Sequence, residues 1–222
     1  MTQRRRIIDL SHPIVSGMPM YPGLPSPRIE PYLSHAASRP HYGGAAEFSI
    51  TRIFMLGSTG TYLDSPWHRH RDRADLAGID LASLADLEGV CIDPVLDRGR
   101  EVRLPAEHPS LAGRAVLIRT GWSRGWGTAE YWRPGPYLGA AAVDQLVAAR
   151  PALVGVDFWN ADDADDPARP AHTRLLGANI PIVEHLRGLD RLPVAGFRFF
   201  AVPPAIAGGA SFPVRALAVL DD

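Results

Sequence analysis

Three short apolar runs constrain the fold of this chain more than any other feature. Residues 89–95, 115–120 and 151–157 are rich in Val, Leu and Ile, and each contains or abuts a glycine, a proline or a charged residue. Runs of that length and composition read as buried strands. Residues 138–149 carry the clearest helical pattern, and residues 79–87 resemble a shorter helix. Residues 6–15, 48–56, 197–202 and 213–220 read as further strands, and residues 181–186 as either strand or helix. Residues 17–43, rich in Gly, Pro, Tyr and Ser, and residues 160–171 read as loops. Strands and helices alternate without a strict βαβ rhythm. The expectation is an α/β protein with a mixed sheet, residues 1–222 forming one domain.

Composition narrows the function. The 222 residues are 46% hydrophobic and 21% charged, which suits a soluble globular protein and not a disordered one. The formal net charge is -1, with no basic block, so no nucleic-acid partner is expected. No apolar run is long enough to span a bilayer, so no membrane partner is expected either. The opening Met-Thr-Gln-Arg-Arg-Arg lacks a signal-peptide core, and the expected location is cytoplasmic. The lone cysteine, Cys91, excludes an internal disulfide and a thiolate metal cluster, and its strand-like surroundings mark it as a buried, inert thiol. Every basic residue is arginine. Without lysine there is no Schiff-base chemistry, no pyridoxal phosphate attachment and no Walker lysine. No Gly-x-Ser-x-Gly elbow, dinucleotide fingerprint or His-Glu-x-x-His occurs, which removes serine-hydrolase and nicotinamide chemistry; no nucleotide cofactor is expected.

Residues 58–70, S-T-G-T-Y-L-D-S-P-W-H-R-H, hold the densest chemistry. Asp64, His68 and His70 bring together the carboxylate and imidazole groups that bind metals and move protons near neutral pH. The alternative is a loop in which Asp64 caps a turn and the histidines face solvent. His172 and Glu184 lie twelve residues apart on segments broken by Pro or Gly. On their own they read as a surface histidine and a salt-bridged glutamate rather than a site. Asp162, Asp163, Asp165 and Asp166 could bind a hard cation, but they lack EF-hand spacing and read as a solvated loop. Trp67, between Pro66 and His68, is a poor core position and suits the wall of a pocket for a flat organic molecule. Tyr21 and Ser58 are the further candidate substrate contacts.

Taken together, these residues resemble a cyclase family that includes bacterial-type kynurenine formamidase, isatin hydrolase and some polyketide cyclases. The likeness runs along nearly the whole chain. It is carried by Asp9-Leu-Ser-His-Pro-Ile14, Met18-Pro-Met-Tyr-Pro-Gly23, Leu117-Ile-Arg-Thr-Gly-Trp-Ser123, Val154-Gly-Val-Asp157, His172-Thr-Arg-Leu-Leu176, Ile182-Val-Glu-His-Leu186 and Pro213-Val-Arg-Ala216. The family motif is His-x-Gly-Thr-His-x-Asp-x-Pro-x-His. Gly60, Thr61, Asp64, Pro66 and His68 match it, while Ser58 and Tyr62 stand where the two leading histidines belong.

The resemblance implies a swivelling β/β/α, cyclase-like fold in a homodimer or homotetramer. It implies that Asp64, His172 and Glu184 hold at most one ion, Zn²⁺ or Mn²⁺, or none. His68 is then the acid/base, with Asp64 beside it and Tyr62 as a hydrogen-bond donor to a developing oxyanion. Serine and neutral tyrosine are poor substitutes for imidazole, so the position that would activate water is weak or empty. Without a metal, Asp64 and Glu184 should face each other with raised pKa values. These implications favour ring closure or dehydration of a small aromatic or polyketide-like substrate in natural-product biosynthesis. The rivals are a single-metal amide hydrolase of the arylformamidase type and a non-catalytic small-molecule binding protein.

Overall fold

The computed structural model describes residues 5–96 and 99–221. The three apolar runs become strands β5 (Leu87–Ile92), β8 (Ala115–Ile118) and β10 (Leu153–Val156). With β11 (Ile182–Glu184) they form the parallel centre of the main sheet, in register through Val90, Val116, Val154 and Ile182. β1 (Arg5–Asp9), β14 (Leu217–Asp221) and β12 (Ala195–Phe200) extend it antiparallel on one side. β4 (Tyr62–Asp64) and β13 (Ser211–Pro213) extend it on the other. The order is β1-β14-β12-β5-β8-β10-β11-β4-β13.

Side-chain alternation explains why the central strands look uniformly apolar. Val90, Ile92, Val116, Ile118, Val154 and Val156 face α2 (Ala140–Ala149) and α3 (Pro170–Gly177) in one core. Cys91, Leu117, Leu153 and Val183 face a second core with Leu63, Phe197 and Phe199. Both faces are buried, so no polar residue marks the two-residue period. Two small sheets complete the chain. β2 (Arg28–Leu33) pairs with β3 (Ile50–Phe54) as an exposed ribbon, and β6 (Val95–Leu96), β7 (Glu101–Arg103) and β9 (Tyr137–Leu138) form the other.

Several elements differ from the sequence expectation. Residues 79–87 hold only a 3-10 turn at Leu81–Ser83, capped by Asp80, because β5 begins at Leu87 and takes up its neighbours in sheet pairing. Residues 17–43 contain β2 and the short α1 (His35–Ser38). The run 213–220 splits at Val214–Ala216, where the chain leaves the edge strand β13 and enters β14, next to the edge strand β1 at the other end of the strand order. Within residues 181–186, Ile182–Glu184 resolve as strand. Helix α3 opens inside the expected loop 160–171, with Pro170 at its first position. Among the described residues no helix is long and apolar enough to cross a membrane.

Candidate active site

Strand geometry assembles the site at the β11–β4–β13 side of the sheet. Leu63 points into the second core, so Tyr62 and Asp64 point to the opposite face, the one covered by α3. The antiparallel register places Glu184 opposite Tyr62, and Ile182 and Ser211 opposite Asp64. Glu184 and Ser211 therefore share that face. Helix α3 lies over it and adds His172, and the 3-10 turn Pro66–His68 adds His68. Asp64, Glu184 and His172 are buried, whereas the His68 side chain is 41% exposed.

His172 is the hub. Its Nε2 lies 3.5 Å from Asp64 Oδ2 and 3.5 Å from Glu184 Oε1. Its other ring nitrogen, Nδ1, is 2.6 Å from Asp162 Oδ2. Asp162 also accepts from the backbone N–H of Ala171 at 2.6 Å and of His172 at 3.1 Å. It thus caps α3 from eight residues upstream of Pro170, where Arg169 offers no side-chain cap. One carboxylate sets both the start of the helix and the tautomer of the imidazole. Ser211 Oγ donates to Asp64 Oδ1 and lies 3.3 Å from His68 Nδ1, which is itself 3.6 Å from Asp64 Oδ1. The Tyr62 hydroxyl donates to Glu184 Oε2, and the Ala161 N–H donates to Glu184 Oε1 at 2.6 Å.

Electrostatics follow from this geometry. Burial alone pulls His172 down, but the Asp162 and Asp64 carboxylates and the charge of Glu184 outweigh it and push the pKa up to about 10. Burial raises Asp64 too, but His172, His68 and the Ser211 hydrogen bond hold it below the usual carboxylate range. Glu184 is pushed up to about 7, first by burial, with the charge of Asp64 adding to it. The expected pair of raised carboxyls is therefore corrected: only Glu184 is raised, because His172 sits against both and Asp64 holds more of the compensating partners.

The ligand set expected from the sequence was Asp64, His172 and Glu184. The ligand-type atoms that converge belong to Asp64, His68 and His172, all within 4.8 Å of one another. Glu184 stands beside this set rather than in it, since Tyr62 and Ala161 already donate to its two oxygens. Tyr62, standing at a motif-histidine position, is what engages Glu184. The donor set fits a single divalent ion. It combines one carboxylate with two imidazoles, and Asp64 Oδ2 is buried with no hydrogen-bond partner. Asp162 supplies the carboxylate behind the imidazole that such sites use.

His68 and His172 line a cleft of about 310 Å³ that Tyr21, Ser58, Tyr62, Trp132 and Trp159 help to form. Of the candidate substrate contacts, Tyr21 and Ser58 line the cleft. Trp67 does not line the cleft. Consecutive residues of a 3-10 turn point about 120° apart, so with His68 turned inward Trp67 turns outward. Trp132 and Trp159 line the cleft instead. His70 turns away to the Thr173 carbonyl, at 2.8 Å. Asp162, read as part of a solvated loop, is 2% exposed. Its signal was the Pro170 helix start eight residues later with no capping residue at 169. Ser211 carried no signal, since only the β4–β13 register brings it in. At the cleft, Arg69 donates to the Thr173 hydroxyl and the Ala168 carbonyl and Arg169 to the Ala164 carbonyl, and among the described residues neither pairs with a carboxylate.

Comparison with known proteins fits this geometry. The profile of the family described as "Putative cyclase" matches residues 8–163. A kynurenine formamidase of Sphingopyxis alaskensis is 28% identical over 216 residues, covering 96% of this chain and 97% of that protein. Isatin hydrolase A from Labrenzia aggregata, solved with benzyl benzoate, superposes with a TM-score of 0.80 at 25% identity, covering 98% of this chain and 94% of that one. A structure described as a potential metal-dependent hydrolase with cyclase activity shares the fold, with a TM-score of 0.75 at 23% identity over 99% of each chain. The profile spans well over half of the sequence, and the curled mixed sheet is that of these neighbours: the chain belongs to the cyclase family.

Proposed function

We propose that this chain is an enzyme that cleaves an amide-type bond at the carbonyl of a small, flat molecule bearing a carboxylate. A single divalent ion, Zn²⁺ or Mn²⁺, would be held by Asp64, His68 and His172. The observation that carries this reading is the convergence of those three donors within 4.8 Å, with one Asp64 oxygen buried and, among the described residues, without a hydrogen-bond partner. An ion bound by such a set supplies Lewis-acid polarisation of a carbonyl and acidifies water.

The chain's own residues do the rest. Asp162 fixes the His172 ring through Nδ1. Tyr62 and Glu184 form a phenol–carboxylate pair at the cleft, placed to accept and return a proton. Trp132 and Trp159 offer flat walls, and the Arg69 and Arg169 guanidiniums are available for a substrate carboxylate. Whole-length likeness to a kynurenine formamidase and to isatin hydrolase A supports an amide as the bond cleaved. The test is turnover of N-formylkynurenine and of isatin by the purified chain. Turnover abolished by a chelator and restored by Zn²⁺ or Mn²⁺ supports the reading; no turnover of either, or turnover that survives the chelator, sinks it.

One observation favours a second reading, metal-free ring closure or dehydration in natural-product biosynthesis. The Tyr62–Glu184 hydrogen bond places an acid–base pair where the family motif has a histidine. In that case His68 is the acid/base rather than a ligand, and activity on a polyketide-like substrate survives metal removal. Either reading takes the β2–β3 ribbon as the pairing surface of a homodimer or homotetramer, supported by the exposed Tyr32, Ile50, Ile53 and Phe54. A monomeric mass by light scattering would count against that assembly.

A further inference from the structure

We infer that the Tyr131–His185 pair presents an imidazole Nε2–H to the cleft as a hydrogen-bond donor to a carbonyl or carboxylate oxygen of the bound substrate. His185 follows Glu184 directly and lines the same cleft. Its backbone lies in the left-handed region, with φ 59°, a conformation that suits glycine and that histidine adopts under constraint. Two hydrogen bonds hold it there: the His185 N–H donates to the Phe158 carbonyl at 3.2 Å, and the Thr61 hydroxyl donates to the His185 carbonyl at 2.7 Å. A residue needed only to fill this turn would be glycine.

The side chain explains why it is not. Tyr131 is 1% exposed, and its hydroxyl lies 2.7 Å from His185 Nδ1. That nitrogen is the acceptor within reach of the phenol hydrogen, and were Nδ1 to carry the proton, a buried O–H would be left without a partner. Nδ1 is therefore assigned as the lone-pair nitrogen and Nε2 as the N–H. The rings of Tyr62, Trp126 and Trp132 surround the imidazole, with centroids 5.4, 5.4 and 5.8 Å away. Such a cage fixes the ring and strengthens a hydrogen bond made from its free edge. His68 and His172 line the same cleft, so an oxygen held by His185 sits in the space those two residues also face. The identity of that oxygen rests on the amide-hydrolase reading; the tautomer and its direction do not.

The test pairs a spectrum with a variant. In ¹⁵N–¹H correlation spectra of the whole protein, assigned through a His185→Asn variant, the His185 ring should show the Nε2–H tautomer. In Tyr131→Phe that preference should relax. Asparagine tolerates left-handed φ and offers Oδ1 to Tyr131, but it has nothing at the Nε2 position. His185→Asn should lose about tenfold in kcat/KM on N-formylkynurenine, the effect of one neutral hydrogen bond. Glutamine, whose amide nitrogen reaches that position, should recover most of it. An Nδ1–H tautomer in the native protein, or a His185→Asn variant within twofold of native, overturns the inference. If the native chain turns over neither N-formylkynurenine nor isatin, the amide-hydrolase reading fails while the spectrum still decides the role of His185.

Discussion

Asp162 joins the fold to the chemistry, so replacing it should damage both by amounts the structure sets. Asp162→Ala removes the acceptor for the Ala171 N–H, the His172 N–H and the His172 ring N–H at once. Loss of a helix N-cap costs about 1 kcal/mol. A buried imidazole N–H left without a partner costs about 1–3 kcal/mol more. The sum is about 3 kcal/mol, and a domain of this size loses roughly 2–4 °C of melting temperature per kcal/mol. Calorimetry should therefore show a fall of about 6–12 °C for Asp162→Ala. Asp162→Asn keeps one carbonyl oxygen for the helix N–H groups and should lose about half as much. Its amide nitrogen cannot accept from His172 Nδ1, so zinc or manganese affinity should still fall by about 10- to 100-fold, the usual effect of losing the carboxylate behind a ligating imidazole. The two losses thus separate in the asparagine variant. An Asp162→Ala protein that melts within 2 °C of native and binds metal equally well would refute the idea that one carboxylate caps α3 and sets the His172 ring.

Restoring the motif with the double substitution Ser58→His and Tyr62→His should raise the bound metal above one ion per chain, measured by elemental analysis; an unchanged ratio would mean those positions do not limit metal binding. Gly89 packs under the Phe197 ring, with a Cβ there only 1.9 Å from a ring carbon, so Gly89→Ala should cost about 1–3 kcal/mol in urea unfolding. A neutral result would place Phe197 elsewhere. Burial first, then the charge of Arg187, pulls His12 down to about 4, against the opposing charge of Asp9. The unfolded chain takes up that proton first, so the stability His12 contributes is complete above its ordinary pKa of about 6.5 and is lost as pH falls toward 4. His12→Phe keeps a ring against Trp126, where the native centroids are 3.9 Å apart, and should flatten stability between pH 6.5 and 4 in part, since buried His185 also titrates low. An unchanged slope would contradict this.

The parallel centre of the sheet was legible because β5, β8 and β10 bury both faces and so appear as unbroken apolar runs. The edge strands were not. β4 is three residues inside a polar motif, and only its pairing with β11 and β13 makes it a strand. The same register hid Ser211, whose place opposite Asp64 is set by a pairing across a long stretch of chain. Asp64 and His68 were readable as a carboxylate and an imidazole in one motif, His68 as acid/base, whereas His172 and Glu184 entered only through the family resemblance. Asp162 was masked by three neighbouring aspartates, since nothing in D-D-x-D-D says which one turns inward. Trp67 misled because exposure on a 3-10 turn and exposure to a pocket look alike in sequence.

The account rests on one ion at Asp64, His68 and His172, and metal content measures that most directly. Protein purified without chelator should carry one zinc or manganese per chain by elemental analysis, falling toward zero in His172→Ala and Asp64→Asn while both variants remain folded by circular dichroism. A native chain that binds no divalent ion after dialysis against either metal, yet still turns over substrate, would contradict the single-metal reading and leave the acid–base pair of Tyr62 and Glu184 in its place.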